Sequence, residues 1–398
     1  MPHHRYLIVG GGMTADAAIA GIREVDATAP IGVVAREPVL PYDRPPLTKA
    51  LWKGQPRDSV WRKTDHSNVE FFPGRRAEVL DAGAKSVTDD RGTVHRADRV
   101  LLATGGTPRR LSVGGDAVIY YRTLEDYDRL RALTERGNRF IVIGGGFIGS
   151  EIAAALAMNG KHVTMVLREP AIGARPYPKD LAAFVTGYYR DKGVDVASGA
   201  TLADVRASNG RATVRISQGG AARDLPDADA VVAGIGIEPS VGLARAAGLT
   251  VDNGIVVDRA LQTSAPDIFA AGDVAAFENP ALGRRIRVEH EDNANVMGKA
   301  AGRAMAGAEV SYDHLPFFYS DLFDLGYEAV GDLDARLETV ADWKTPFREG
   351  VIYYLDRGRV RGVLLWNTWG QVDAARRLIA DPGPFRAADL KGRLPAST

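Results

Sequence analysis

The chain opens on a short apolar run of strand length, Tyr6-Leu7-Ile8-Val9. A glycine turn follows, Gly10-Gly11-Gly12-Met13-Thr14-Ala15, and then an Ala/Ile-rich stretch of helical character to Val25. Ile31-Gly32-Val33-Val34 reads as the next strand. Strand, glycine turn, helix, strand is the grammar of a βαβ unit. It returns at Phe140-Ile141-Val142-Ile143 and Gly144-Gly145-Gly146-Phe147-Ile148-Gly149, with a helix from about Ser150 to Met158. Asn159-Gly160 is a helix stop, and His162 to Leu167 is the following strand. The last stretch changes pattern. Val351 to Leu355 and Val360 to Trp366 flank the polar turn Asp356 to Arg359, which predicts a hairpin, and a helix follows from Gln371 to Ala380. No strict short-period repeat is present, which excludes a solenoid.

At 398 residues the chain is long enough for two or three domains. The composition, 45% hydrophobic and 25% charged, excludes a mostly disordered chain. Fifty basic and 50 acidic residues cancel, which argues against a dedicated polyanion binder. There is no cysteine, so thiol exchange, cysteine nucleophiles and cysteine-bound iron–sulfur or zinc centres are excluded. Met1 to Arg5 runs straight into the first strand, and no apolar run reaches the ~18 residues of a membrane span. The expectation is a soluble, cytoplasmic protein without a metal site.

Gly10-x-Gly12-x-x-Ala15 and Gly144-x-Gly146-x-x-Gly149 both fit a dinucleotide fingerprint. The first glycine permits the tight turn and the second lets a pyrophosphate approach the backbone. The third small residue lets helix and strand pack closely, and the helix N-terminus favours the phosphates. An acid past the second strand should take ribose hydroxyls, and Glu37 and Glu169 stand near the required ~20-residue spacing. Arg36 and Arg168 immediately precede them and could instead grip a 2′-phosphate, so NADH and NADPH both stay open. Two dinucleotides without a thiol point to FAD at one site and a nicotinamide at the other, with hydride passing between rings held about 3–3.5 Å apart.

Further motifs carry a family resemblance. Leu101-Leu102-Ala103-Thr104-Gly105-Gly106 and Ile268-Phe269-Ala270-Ala271-Gly272-Asp273 resemble signatures of two-dinucleotide-fold flavoprotein reductases. Pro41-Tyr42-Asp43-Arg44-Pro45-Pro46-Leu47-Thr48-Lys49 and Arg122-Thr123-Leu124-Glu125-Asp126 resemble bacterial oxygenase-coupled ferredoxin reductases and apoptosis-inducing-factor-like flavoproteins. Val288 to Ala294, Phe318 to Leu322, Gly326 to Gly331 and Leu365-Trp366-Asn367 lean toward the latter branch. The chain is thus similar, over essentially its whole length, to the FAD-dependent pyridine nucleotide-disulfide oxidoreductases, here without the redox disulfide.

The resemblance implies an α/β fold with two Rossmann-like dinucleotide-binding domains and a C-terminal α+β domain. The FAD domain (1–115 and 243–314) would be split by the NAD(P)H domain (116–242), and 315–398 would form the C-terminal interface domain. It implies that Lys49 lies near flavin N5, paired with Glu151 as the catalytic pair. Asp273, beside Gly272, would meet the ribityl chain, and Arg44 and Arg122 the FAD pyrophosphate or ring edge. Glu169 and Arg175 would hold the nicotinamide nucleotide's adenosine ribose. Glu289, His290, Tyr319, Glu328 and Asn367 would line the ring pocket, with Tyr319 standing where relatives often carry tryptophan. Ala77, Ala103, Thr104, Gly105, Gly234, Ile235 and Gly236 complete the expected cofactor-binding set, beside Met13, Thr14, Phe147 and Ile148 of the turns.

With no internal thiol, electrons must leave to an external acceptor. The reading is an FAD-dependent NAD(P)H oxidoreductase of ferredoxin-reductase type: hydride from NADH to flavin N5, then single electrons to a ferredoxin. Arg109-Arg110 and Arg284-Arg285-x-Arg287 are candidate docking cations for an acidic carrier. A quinone reductase of diaphorase type and a slow redox-sensing flavoprotein are the alternatives. No nucleic acid or membrane partner is expected, and the chain would be a monomer or homodimer.

Overall fold

The computed structural model describes residues 3–208 and 210–394. Met1 and Pro2 of the expected lead-in, and the last four residues of the expected C-terminal domain, lie outside the described residues. The chain divides into two compact units.

The first unit comprises the chain through Asp43, Asp58–Thr107 and Glu238–Phe318. Its seven-stranded sheet runs in the order Val69–Pro73, Ile31–Ala35, His3–Val9, Val94–Leu102, Ser86–Asp89, Ala77–Asp81, and Ile268–Ala270 joins beside Val94–Leu102. Around the first strand the pairing is parallel, with Val9 opposite Val34 on one side and Leu102 on the other. Leu7 and Ile8 are fully buried, as a strand covered on both faces requires. The helix Met13–Arg23 follows the glycine turn and buries Ala15, Ala18, Ile19 and Ile22. Against it lies the helix Glu291–Met305, and the two approach at glycines. A Cβ on Gly298 would stand 2.5 Å from Thr14 O, and one on Gly302 would stand 2.0 Å from Ala18 O. Only residues without a side chain allow backbones that close.

The second unit comprises Arg44–Arg57, Pro108–Ile237 and the chain from Tyr319 on. Its parallel sheet runs Val194–Ala197, His162–Val166, Arg139–Ile143, Ala230–Ala233, Val118–Tyr120. The helix Phe147–Met158 starts inside the glycine turn, three residues ahead of the expected start, and ends at Asn159 with Gly160 at φ +73°. Thr123 and Asp126 form a capping box on Leu124–Arg136. A three-stranded antiparallel sheet, Ala200–Ser208, Arg211–Gln218 and Ala221–Asp224, was not foreseen. The C-terminal antiparallel sheet runs Phe317–Leu322, Leu325–Gly331, Arg359–Trp366, Glu349–Asp356, Glu338–Thr345. It contains the expected hairpin, turned at Arg357 (φ +51°) and Gly358 (φ +76°). Val372–Ala380 packs on this sheet through Ala375 and Ile379. Two α/β sheets with parallel cores, the first extended by the antiparallel strands Ser86–Asp89 and Ala77–Asp81, and an antiparallel C-terminal layer are the fold class expected. Among the described residues no helix is long and apolar enough to cross a membrane.

Candidate functional site

In the first unit the glycine turn is built by close approach. Gly10 sits at φ +121°, and a Cβ there would lie 2.1 Å from Ala103 O. Ala103 N donates to Val9 O at 2.8 Å, so the Ala103-Thr104-Gly105 turn is drawn against the fingerprint. Gly12 is the N-cap of Met13–Arg23, and no side chain caps that end. A Cβ on Gly272 (φ +77°) would lie 2.2 Å from Thr14 Oγ1, which places the Gly272-Asp273 turn beside the same helix start. Glu37 follows the second strand and accepts the Tyr42 hydroxyl at 2.5 Å, while Arg36 is exposed. Ala77 opens its own strand opposite Asp89, and His290 is the N-cap of Glu291–Met305, stacked on Phe318 at 4.3 Å.

Asp16, in the first turn of Met13–Arg23, is fully buried, and motif reading gave it no role. It accepts Arg62 Nε at 2.6 Å and Thr64 Oγ1 at 2.6 Å, with His66 Nε2 at 2.8 Å. Arg62 also donates to Asp43 at 2.5 Å and Asn295 at 2.9 Å. The hub ties the 62–66 loop to the fingerprint helix. Its one sequence signal was an acid on an otherwise apolar helix face.

The expected docking cations are partly committed within their own unit. Arg287, its side chain 10% exposed, pairs with Glu289 at 2.7 Å, and Arg285 pairs with Glu278 at 3.0 Å. Arg110 lies over the Tyr120 ring at 4.5 Å, and Arg109 donates to Ile237 O at 3.3 Å.

The second glycine turn separates the three glycine roles. A Cβ on Gly144 (φ +105°) would lie 2.4 Å from Gly234 O, and one on Gly149 would lie 2.1 Å from Gly144 O. A Cβ on Gly146 would meet nothing within 4 Å. The outer two positions are therefore packing glycines, and the middle one faces open space at an N-cap that no side chain fills. That shape fits a pyrophosphate. Gly234-Ile235-Gly236 lies against this turn, with Gly236 at φ +93°. Phe147 and Ile148 remain 37% and 38% exposed beside it. Glu169 follows the next strand and carries two guanidiniums on one oxygen, Arg175 at 3.3 Å and Arg168 at 3.9 Å. Both arginines are largely exposed.

Lys49, Glu151 and Tyr319 come together in the same unit. Lys49 sits between the short turns Pro45–Thr48 and Ala50–Lys53. Its ammonium lies 2.7 Å from Glu151 Oε1 and 5.1 Å from the centre of the Tyr319 ring. Two hydroxyls that sequence reading left without a role complete the carboxylate's surroundings: Thr48 Oγ1 donates to Oε2 at 2.5 Å and Ser320 Oγ to Oε1 at 2.6 Å. Burial, with the negative charge of Glu151 adding to it, pushes the phenols of Tyr177 and Tyr189 up. Arg44 Nη1 donates to Arg122 O at 2.8 Å. Glu328 is half-buried, which raises its pKa, and accepts Gly370 N at 3.3 Å. Asn367 (φ +46°) engages its amide with backbone, accepting Gly326 N at 2.7 Å and donating to Arg348 O at 2.8 Å. Among the described residues no group of three His, Asp or Glu side chains could hold a metal ion.

Comparison with known proteins gives the family. A family model described as pyridine nucleotide-disulphide oxidoreductase matches residues 4–298, and one for the C-terminal region of mitochondrion-associated apoptosis-inducing factor matches 301–346. The ferredoxin reductase subunit of the 5,5'-dehydrodivanillate O-demethylase of a Sphingobium species is 35% identical over 96% of this chain and 94% of its own. Apoptosis-inducing factor 1 of Dictyostelium discoideum is 33% identical over 94% of this chain and 78% of its own. The reductase in the crystal structure of the covalent putidaredoxin reductase–putidaredoxin complex superposes with a TM-score of 0.88 at 31% identity, covering 96% of this chain and 94% of that one. On these matches the chain belongs to the pyridine nucleotide-disulphide oxidoreductase family, as a member with no cysteine of its own.

Proposed function

We propose that this protein takes electrons from NADH through bound FAD and passes them singly to a ferredoxin. The observation that carries the reading is the paired construction of the two glycine turns, each ending at an uncapped helix start. The ferredoxin-reductase relatives support the choice of acceptor. Residues 1–115 with 243–314 would take FAD, 116–242 the nicotinamide nucleotide, and 315–398 would form the C-terminal domain. A cytoplasmic setting is part of the same proposal.

When bound, FAD supplies what side chains cannot: acceptance of an electron pair and release of electrons one at a time. The chain's own groups bind and orient. The Gly10–Ala15 and Gly144–Gly149 turns receive the two pyrophosphates at helix N-termini. Glu37 and Asp273 accept hydroxyls of one nucleotide and Glu169 those of the other, and Glu169 disfavours a 2′-phosphate by like charge. Lys49 supplies a fixed positive charge, and Glu151 keeps that charge in place.

Anaerobic titration of the purified protein with NADH and NADPH, followed by a ferredoxin panel, tests the reading. Bleaching of a yellow protein by NADH, with cytochrome c reduction that depends on added ferredoxin, is expected. A colourless protein that takes up no flavin would overturn it. The match of 301–346 to the apoptosis-inducing-factor C-terminal region favours a second reading, a slowly reduced sensor. Slow reduction, an air-stable charge-transfer band and a changed oligomeric state would select it.

A further inference from the structure

The Lys49–Glu151 contact is one edge of a larger arrangement. Glu151 is 3% exposed, and three donors reach its carboxylate. Thr48 and Ser320 are themselves 6% and 1% exposed, so neither hydroxyl is held by solvent. The O–H···O distances of 2.5 and 2.6 Å are those of hydrogen bonds to a charged acceptor. Thr48 Oγ1 also stands 3.3 Å from Pro45 O, but it has one proton, and the shorter contact to Glu151 claims it.

We propose that Thr48 and Ser320 are positioning residues that lock the Glu151 carboxylate and thereby fix where Lys49 holds its charge. A carboxylate bonded only to a lysine can turn about its last torsion and offer either oxygen, because an ammonium is a point charge without directional preference. With Oε2 capped by Thr48, and Oε1 shared between Ser320 and Lys49, one orientation remains. Tyr319, the neighbour of Ser320 in the same strand, sets its ring against the ammonium. The three segments that meet here are the turn Pro45–Thr48, the fingerprint helix and the strand Phe317–Leu322. The relevance to flavin reduction rests on the proposed function; the locking of Lys49 does not.

Competitive acetylation with acetic anhydride, read by mass spectrometry on the cofactor-free full chain, tests the lock directly. Lys53, paired with Asp321 at 2.9 Å and 44% exposed, serves as internal reference. Lys49 should label more slowly than Lys53. Thr48→Val and Ser320→Ala should each raise relative Lys49 labelling about tenfold, the scale of one hydrogen bond to a charged group. Thr48→Ser and Ser320→Thr, which keep the hydroxyl, should restore it, with unchanged thermal unfolding as the control. Labelling unchanged in Thr48→Val, or raised equally by Thr48→Ser, overturns the proposal. If Ser320→Ala does not fold, the Thr48 pair alone decides the question. In the flavin-loaded protein the hydroxyl-deleting variants should slow NADH-driven bleaching about tenfold, with KM for NADH unchanged. A wild-type chain that takes no flavin sinks the proposed function and leaves the labelling result standing.

Discussion

The ammonium of Lys49 and the carboxylate of Glu151 meet at 2.7 Å with side chains only 12% and 3% exposed. Deleting one partner of a buried pair strands the other, at a cost of about 3–5 kcal/mol. Glu151→Gln should therefore lower unfolding free energy by about 3 kcal/mol in a urea titration. Lys49→Ala should slow flavin reduction about a hundredfold in stopped flow, the scale of one lost electrostatic contact at a reacting centre, while FAD stays bound. Unchanged reduction would remove the pair from the mechanism.

Gly146 and Gly149 separate binding from packing. Gly146→Ala adds a methyl where nothing lies within 4 Å, so melting should not move while NADH binding weakens. Gly149→Ala drives a methyl to 2.1 Å from Gly144 O and should cost about 2 kcal/mol of stability. Calorimetric titration with NADH and thermal melts of the two proteins give the comparison. Equal melting losses would contradict the assignment of roles.

Glu169 faces two guanidiniums and should still repel a 2′-phosphate. We expect kcat/KM to favour NADH, and Glu169→Ala to narrow that preference about tenfold as Arg168 and Arg175 lose their anion and become free for phosphate. A wild-type preference for NADPH would reverse the ribose assignment.

Asp89 gives a pH prediction. Burial alone would raise its carboxyl, but His95, the amides of Thr93 and Arg91, and Arg75 outweigh that and hold it far below the usual range. Because the folded value is depressed, its contribution is full above the unfolded value of about 3.9. It is lost as pH falls from there toward the folded value. Asp89→Asn should flatten the stability curve below about pH 4, measured by urea midpoints across pH 2 to 7. An unchanged acid limb would place the acid sensitivity elsewhere.

What could be read from the sequence was local. Tyr6 to Val34 and Phe140 to Leu167 declared their strands and helices because turn, helix start and helix stop all act within a few residues. The Val351–Trp366 hairpin was legible for the same reason. The hub at Asp16 was not, since Arg62, Thr64 and His66 reach it from a distant segment and Asn295 joins only through Arg62. Thr48 and Ser320 stood inside recognised motifs, yet only tertiary packing shows that both hydroxyls serve one carboxylate. In the sheet of Ala200–Asp224, Arg211–Gln218 does alternate, with Ala212, Val214 and Ile216 buried, but Ala221–Asp224 is exposed throughout and carries no apolar pattern, so the sheet as a whole is not legible from its strands.

The glycine contact between Met13–Arg23 and Glu291–Met305 bears on biosynthesis. The first helix leaves the ribosome long before the segment that seats against it, and at ~5–20 residues per second the interval is on the order of tens of seconds. Its bare backbone face, shaped for Gly298 and Gly302, stays uncovered for that time. The layer around this helix thus matures only once Glu291–Met305 has been made, and until then the uncovered face is open to the misassembly that threatens any long-separated pair of packing partners.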